Sequence, residues 1–107
     1  MQETDLSYIK LNGFDWNKGN IEKNWQKHYV EANECEEIFY NQPVQFFRDI
    51  KHSQQEERFT AYGVTDKGRF LTVVFTVRKN LIRVISARDQ NKKERRVYEK
   101  NKANTKI

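Results

Sequence analysis

Arg58, Arg69, Arg78, Arg83 and Arg88 stand at the margins of apolar runs in the second half of this 107-residue chain. Guanidinium groups in that position can bind a polyanion and stabilise the extra charge of a phosphoryl-transfer transition state. The groups able to move a proton beside them are few: Lys27, His28, His52, Glu57 and Tyr98. His28 and His52 are the only histidines, there is no HxxxH or CxxC spacing, and four glycines form no phosphate loop and no GxSxG elbow. The toolkit that remains needs no metal and no cofactor: an acid, a base and a set of cations. It suits a ribonuclease in which the substrate's own 2′-OH is the nucleophile. Each residue also has a plain structural role. His28 closes a helix and can meet its C-terminal dipole, and His52 can form a turn or a cap. Glu57 can pair with Arg69 across strands, and Tyr98 can stack on a base or fill the core. A structural arginine needs a carboxylate, and the second half has few, which favours Arg78, Arg83 and Arg88 as site residues.

Charge follows the same division. Residues 1–57 carry 6 Lys/Arg against 11 Asp/Glu, whereas residues 58–107 carry 14 against 4. A chain so polarised suits a polyanionic partner, nucleic acid first. Cys35 is the only cysteine, so no internal disulfide forms; Glu34, Glu36 and Glu37 disfavour its thiolate, and a buried helix position fits it better. No apolar run approaches the ~18–20 residues of a spanning helix, and no signal-peptide core is visible. The expectation is a soluble cytoplasmic protein with no membrane partner.

The elements that must position these side chains follow from pattern. Residues 1–13 form a polar N-terminal segment, 14–100 a single domain and 101–107 a fraying tail. Phe14-Asp15-Trp16 allows a short edge strand. Asn17 caps a helix over 17–28, with Ile21, Trp25 and His28 on one face. A second helix over 31–39 gathers Ala32, Cys35, Ile38 and Phe39 on a stripe and turns Glu34 and Glu37 away. Pro43 ends the helical part, a short strand follows at 44–47, and 49–55 is loop. Strands are expected at 57–64, 69–78 and 81–88, joined by a turn at Asp66-Lys67-Gly68 and a two-residue turn at Lys79-Asn80. Asn91 and Glu94 make a capping box for a basic helix to about Lys100, presenting Arg95, Arg96 and Lys100. The fold class is α+β: a short N-terminal strand and two helices on an antiparallel sheet of about four strands, with a basic C-terminal helix.

Alternation assigns the faces. Leu71, Val73, Phe75 and Val77 turn toward the helices, leaving Phe70, Thr72, Val74, Thr76 and Arg78 on the other face. Ile82 and Val84 turn inward, which puts Arg83 beside Arg78; Arg88, at the strand end, reaches either side. An open face of arginines, threonines and Tyr62 is suited to single-stranded nucleic acid, the rings stacking on bases. The plain reading is a sheet face covered by the terminal helix.

As a set, Phe14-Asp15-Trp16, Asn24, Lys27-His28, Glu36-Glu37-Ile38-Phe39, Asp49, His52-Ser53 and Glu56-Glu57-Arg58 resemble BrnT-type toxins of type II toxin–antitoxin pairs. The resemblance continues through Gly63, Arg69, Val73-Val74-Phe75-Thr76, Arg78, Arg83, Ile85-Ser86-Ala87-Arg88, Glu94 and Tyr98. It implies a RelE/ParE-like fold and RNA cleavage that halts translation. It also implies a BrnA-like ribbon-helix-helix antitoxin, through which the toxin meets DNA only indirectly. Two positions depart: Tyr29 stands where the family usually has Gly, so the turn there is expected to differ, and Asn20 stands where lysine is common. The expected catalytic set is His52, Glu57, Arg78, Arg83 and Arg88; Lys27, His28, Arg58, Arg69, Arg95 and Tyr98 are the expected RNA contacts. The competing reading is a non-catalytic RelE/ParE-like toxin or binding module that grips protein or RNA; a DNA-binding regulator lacks a recognition-helix signature.

Overall fold

The computed structural model describes residues 3–7, 11–52 and 56–104, apart from the side chains of His52 and Asn104. In chain order it contains β1 (Gly13–Phe14), α1 (Lys18–His28), α2 (Ala32–Tyr40), β2 (Gln45–Asp49), a 3-10 turn (Ile50–His52), β3 (Arg58–Val64), β4 (Phe70–Arg78), β5 (Leu81–Asp89) and α3 (Lys92–Asn104). The α+β class is as expected. The sheet has five strands in the order β1-β5-β4-β3-β2, all antiparallel except β1, which runs parallel to β5.

Local chemistry explains the punctuation. Asn17 accepts the Asn20 N–H at 2.9 Å and starts α1. The β4–β5 turn places Lys79 and Asn80 at φ of 52° and 65°, the geometry that suits the right-handed twist of the flanking strands. Gly68 takes a φ of 87°, as its turn demands. The Asn91 side chain accepts the Glu94 N–H at 2.8 Å while Glu94 accepts the Asn91 N–H at 2.9 Å, so the expected capping box forms. α3 continues past Lys100 to Asn104.

The main core lies between the sheet and α1–α2, built on Ile38, Leu71, Val73, Phe75, Val84 and Ala87. α2 rides so close to β3 that a Cβ on Gly63 would stand 2.7 Å from that of Ile38. α1 is rotated from its apolar stripe. Ile21 and Trp25 are exposed, and the one residue it buries is Asn24. A second, smaller cluster of Phe47, Tyr62 and Tyr98 lies on the opposite face of the sheet, under α3.

The turn after α1 takes a conformation that usually calls for glycine. Tyr29 itself adopts the left-handed conformation, φ 54° and ψ 41°, and its N–H closes the helix on Asn24 and Trp25 carbonyls. A non-glycine residue there costs roughly 1–2 kcal/mol. Edge-to-face contact with Trp25 at 5.6 Å recovers part of it.

Candidate nucleic-acid interface

The face of β3–β5 opposite α1 and α2 is defined by the ladder. Thr60 lies across from Val74, Thr72 from Arg88 and Thr76 from Arg83. Arg83 and Arg88 are five residues apart, and regular alternation would set them on opposite faces. A bulge in β5 removes the conflict. Val84 faces Phe75 and Ser86 faces Val74, so Ile85 is the extra residue, and parity switches between the two arginines. Val84 before the bulge and Ala87 after it are both fully buried in the core. Parity alone left Arg88 unassigned; the bulge assigns it to the face of Arg83.

α3 divides this face into a covered and an open end. At the covered end, Tyr98 is fully buried, donates its hydroxyl to the Pro43 carbonyl at 2.7 Å and packs on Phe47 and Phe70. Tyr98 is thus a core residue and not an exposed stacking ring. Tyr62 is buried with it, and burial raises both phenol pKa values. Arg95 sits 3.3 Å above the Phe70 ring and donates to Glu99. The expected row of stacking aromatics is therefore under the helix; Thr76 is buried too, its hydroxyl donated to the Glu57 carbonyl at 2.9 Å, so the open end offers arginines.

Carboxylates are better supplied than the sequence of the second half implied. Arg88 makes a two-pronged pair with Glu94 at 2.7 and 2.8 Å, and Glu94 also accepts the Thr72 hydroxyl at 3.0 Å. Burial alone would raise the Glu94 carboxyl; the donors from Arg88, Asn91 and Thr72 outweigh it and hold the pKa below its ordinary range. Arg78 is paired with Glu56 at 2.6 Å, which holds the Glu56 carboxyl low. Arg83 is different. Among the described residues it makes no hydrogen bond or ion pair that would occupy its guanidinium, and its charge is felt at Glu56.

The other expected residues fall elsewhere. Arg69 lies at the helix-covered side, where it donates to Asp89 at 2.6 Å, to the Tyr29 and His28 carbonyls at 2.8 and 3.0 Å, and to Glu34 at 3.2 Å. It clamps the α1–α2 corner to β4 and β5, and its hydrogen bonds depress the Asp89 carboxyl. Lys27 and His28 are in the last turn of α1, on that same side. Arg58 opens β3 across from Asp49. Glu57 pairs with Arg48 at 3.0 Å rather than with Arg69. The turn carrying His52 joins β2 to β3 at the end of the sheet where Glu56 meets Arg78; the His52 side chain lies outside the described residues.

Cys35 is fully buried, and burial, with Glu34 and Glu36, pushes its thiol up to about 12. It is no nucleophile. Among the described residues no three His, Cys, Asp or Glu side chains converge as a metal site, and no helix is long and apolar enough to cross a membrane. Two residues that matter to this face, Asn20 and Asn24, were given no site role from the sequence. Asn20 donates to the Val84 carbonyl at 3.0 Å and Asn24 accepts the Ala87 N–H at 3.2 Å. Their spacing of four on a capped helix was the available signal.

The profile of the family described as "Ribonuclease toxin, BrnT, of type II toxin-antitoxin system" matches residues 16–94. That span contains α1 through β5 and the cap of α3. Comparison with curated proteins gave no match. The chain belongs to the BrnT ribonuclease toxin family.

Proposed function

We propose that this ribonuclease toxin of a type II toxin–antitoxin system cuts RNA on the open end of its sheet face, with Arg83 as the principal transition-state cation. The observation that carries the reading is the β5 bulge, which sets Arg83 and Arg88 on one face; among the described residues no hydrogen bond or ion pair holds the Arg83 guanidinium, whose charge reaches Glu56. A guanidinium that no described residue occupies is available to an incoming phosphate. Thr76 lies across from it, and Arg78, Arg88 and Arg58 extend the positive margin. Cleavage proceeds by attack of the 2′-OH on the adjacent phosphate. His52 and Glu57, from the connection at the open end, exchange protons with the 2′-OH and the leaving 5′-oxygen. The arginines bind the more highly charged phosphorane-like state more tightly than the ground state, which is what lowers the barrier. No metal ion is needed for these steps.

Membership in a type II system implies an antitoxin and an RNA substrate. We assign the antitoxin to the ribbon-helix-helix class, acting in the cytoplasm, with an acidic segment that covers the cationic face and associates faster at low salt. The test of the catalytic reading is cleavage of a defined RNA in EDTA. The expected product carries a 2′,3′-cyclic phosphate, and a strand with 2′-deoxyribose at the cut site stays whole. Cleavage of the deoxy strand would overturn the mechanism; RNA binding without cleavage would favour the non-catalytic alternative.

A further inference from the structure

The bulge that brings Arg83 and Arg88 to one face has a holder on its outer edge. At the turn residue Asn80 and at Ile82 in β5 the carbonyls accept the N–H groups of Asn12 and Asp15. β1 ends at Phe14, so the strand partner runs out before the bulge begins. From there α1 takes over with side chains. The Asn20 amide donates to the Val84 carbonyl at 3.0 Å, the residue after Arg83; the Asn24 amide oxygen accepts the Ala87 N–H at 3.2 Å, the residue before Arg88. Residues 20 and 24 lie one helical turn apart, a rise of about 6 Å, which lets the pair bracket the extra residue Ile85. The burial of Asn24, in place of the available Ile21 and Trp25, makes sense on this basis. A buried polar group costs free energy unless it is hydrogen-bonded; the Asn24 amide oxygen is, while its amide nitrogen is buried with no hydrogen-bond partner among the described residues.

We propose that Asn20 and Asn24 are positioning residues for RNA cleavage. They fix the β5 bulge and thereby the approach of Arg83, and with it Arg88, to the scissile phosphate. The proposal rests on the open face being the cleavage surface. The two asparagines act from the opposite side of the sheet and touch no substrate. Their effect passes through the backbone of Val84 and Ala87.

The test is a double-mutant cycle on single-turnover cleavage of a defined RNA oligonucleotide, together with hydrogen exchange at the Ala87 amide. Misplacing a catalytic cation by a fraction of an ångström is expected to lower the maximal rate of Asn20→Ala about 10-fold per folded molecule, with the half-saturating RNA concentration nearly unchanged. Asn20→Gln, which keeps the amide donor, should recover most of the rate. In an Arg83→Ala background Asn20→Ala should add almost nothing, because both changes remove the same contribution. Asn24→Ala should speed exchange at Ala87. An unchanged rate in Asn20→Ala, an equal loss in both Arg83 backgrounds, or unchanged exchange at Ala87 overturns the positioning role while leaving the cleavage surface standing. Wild-type cleavage by Arg83→Ala alone overturns the cleavage surface itself, and the positioning role with it.

Discussion

Arg69, just before β4, and Arg83, within β5, are the same side chain, yet among the described residues carbonyls and carboxylates converge on the first and not on the second. At the α1–α2 corner Arg69 satisfies two backbone carbonyls and two carboxylates, so its donors are spent on holding helix to sheet. At the open end Arg83 rests between the Thr76 cross-strand position and solvent, with no such partners among the described residues. The difference teaches that charge counting alone does not locate a site on this chain. What separates a structural cation from an available one is whether carbonyls and carboxylates converge on it.

The largest effect should come from Arg83→Ala. Removing one group that stabilises transition-state charge costs about 10²–10³ in rate, so cleavage should fall by that factor. Stability should stay within ~0.5 kcal/mol, as for surface changes generally. Thermal unfolding beside single-turnover cleavage checks both halves. Arg69→Ala should do the reverse: destabilise by about 2–3 kcal/mol, because it strands Glu34, Asp89 and two carbonyls, yet leave the rate per folded molecule within about twofold. If both variants lose activity and neither loses stability, the contrast collapses.

A middle-sized effect sharpens the boundary between the covered and open ends. Glu94→Gln should destabilise by about 1–2 kcal/mol, since the Arg88 pair is partly exposed and discounted for solvent. The sign with pH follows from the depressed Glu94 pKa. Its contribution is complete above the ordinary value of 4.5 and is lost as pH falls through the lower folded value. Wild-type stability should therefore drop on acidification in that window, and the drop should be smaller in Glu94→Gln. Denaturant titrations from pH 7 to pH 3 measure it. The smallest effect belongs to Tyr29→Gly. Relief of the left-handed strain, less the Trp25 contact and the greater freedom of the unfolded chain, should leave a gain of about 0.5 kcal/mol.

Local punctuation was legible in the sequence. Asn17, Gly68, Lys79-Asn80 and the Asn91–Glu94 box each carry their own geometry within a few residues, and each forms as expected. The run from residue 69 to 78 alternates cleanly and gave its faces correctly, with Leu71, Val73 and Phe75 in the core and Thr72, Thr76 and Arg78 opposite. What was not legible depends on pairing across long separations. Ile85-Ser86 contains no signal of a bulge until β4 is laid beside it. The partners of Arg69 lie at Glu34 and Asp89, on an earlier helix and on the next strand, so neither is visible from its own neighbourhood. The apolar stripe of α1 does not mark its buried side, as such a stripe ordinarily does; Asn24 is turned inward instead, where its amide oxygen accepts the Ala87 N–H. Tyr98 was balanced between core and surface on its own segment, and only the packing of α3 over Phe47 and Tyr62 decides it.

The central claim is that RNA engages the open end of the sheet face and not the α1 side. An uncleavable RNA, deoxy at the cut site, titrated into isotopically labelled protein reads this residue by residue from amide chemical shifts. The account predicts the largest changes at Thr60, Val74, Thr76, Arg83 and Ser86, with Lys27, His28 and Tyr29 nearly still. Shifts centred on Lys27, His28 and the Arg69 corner, with Arg83 unmoved, would contradict it.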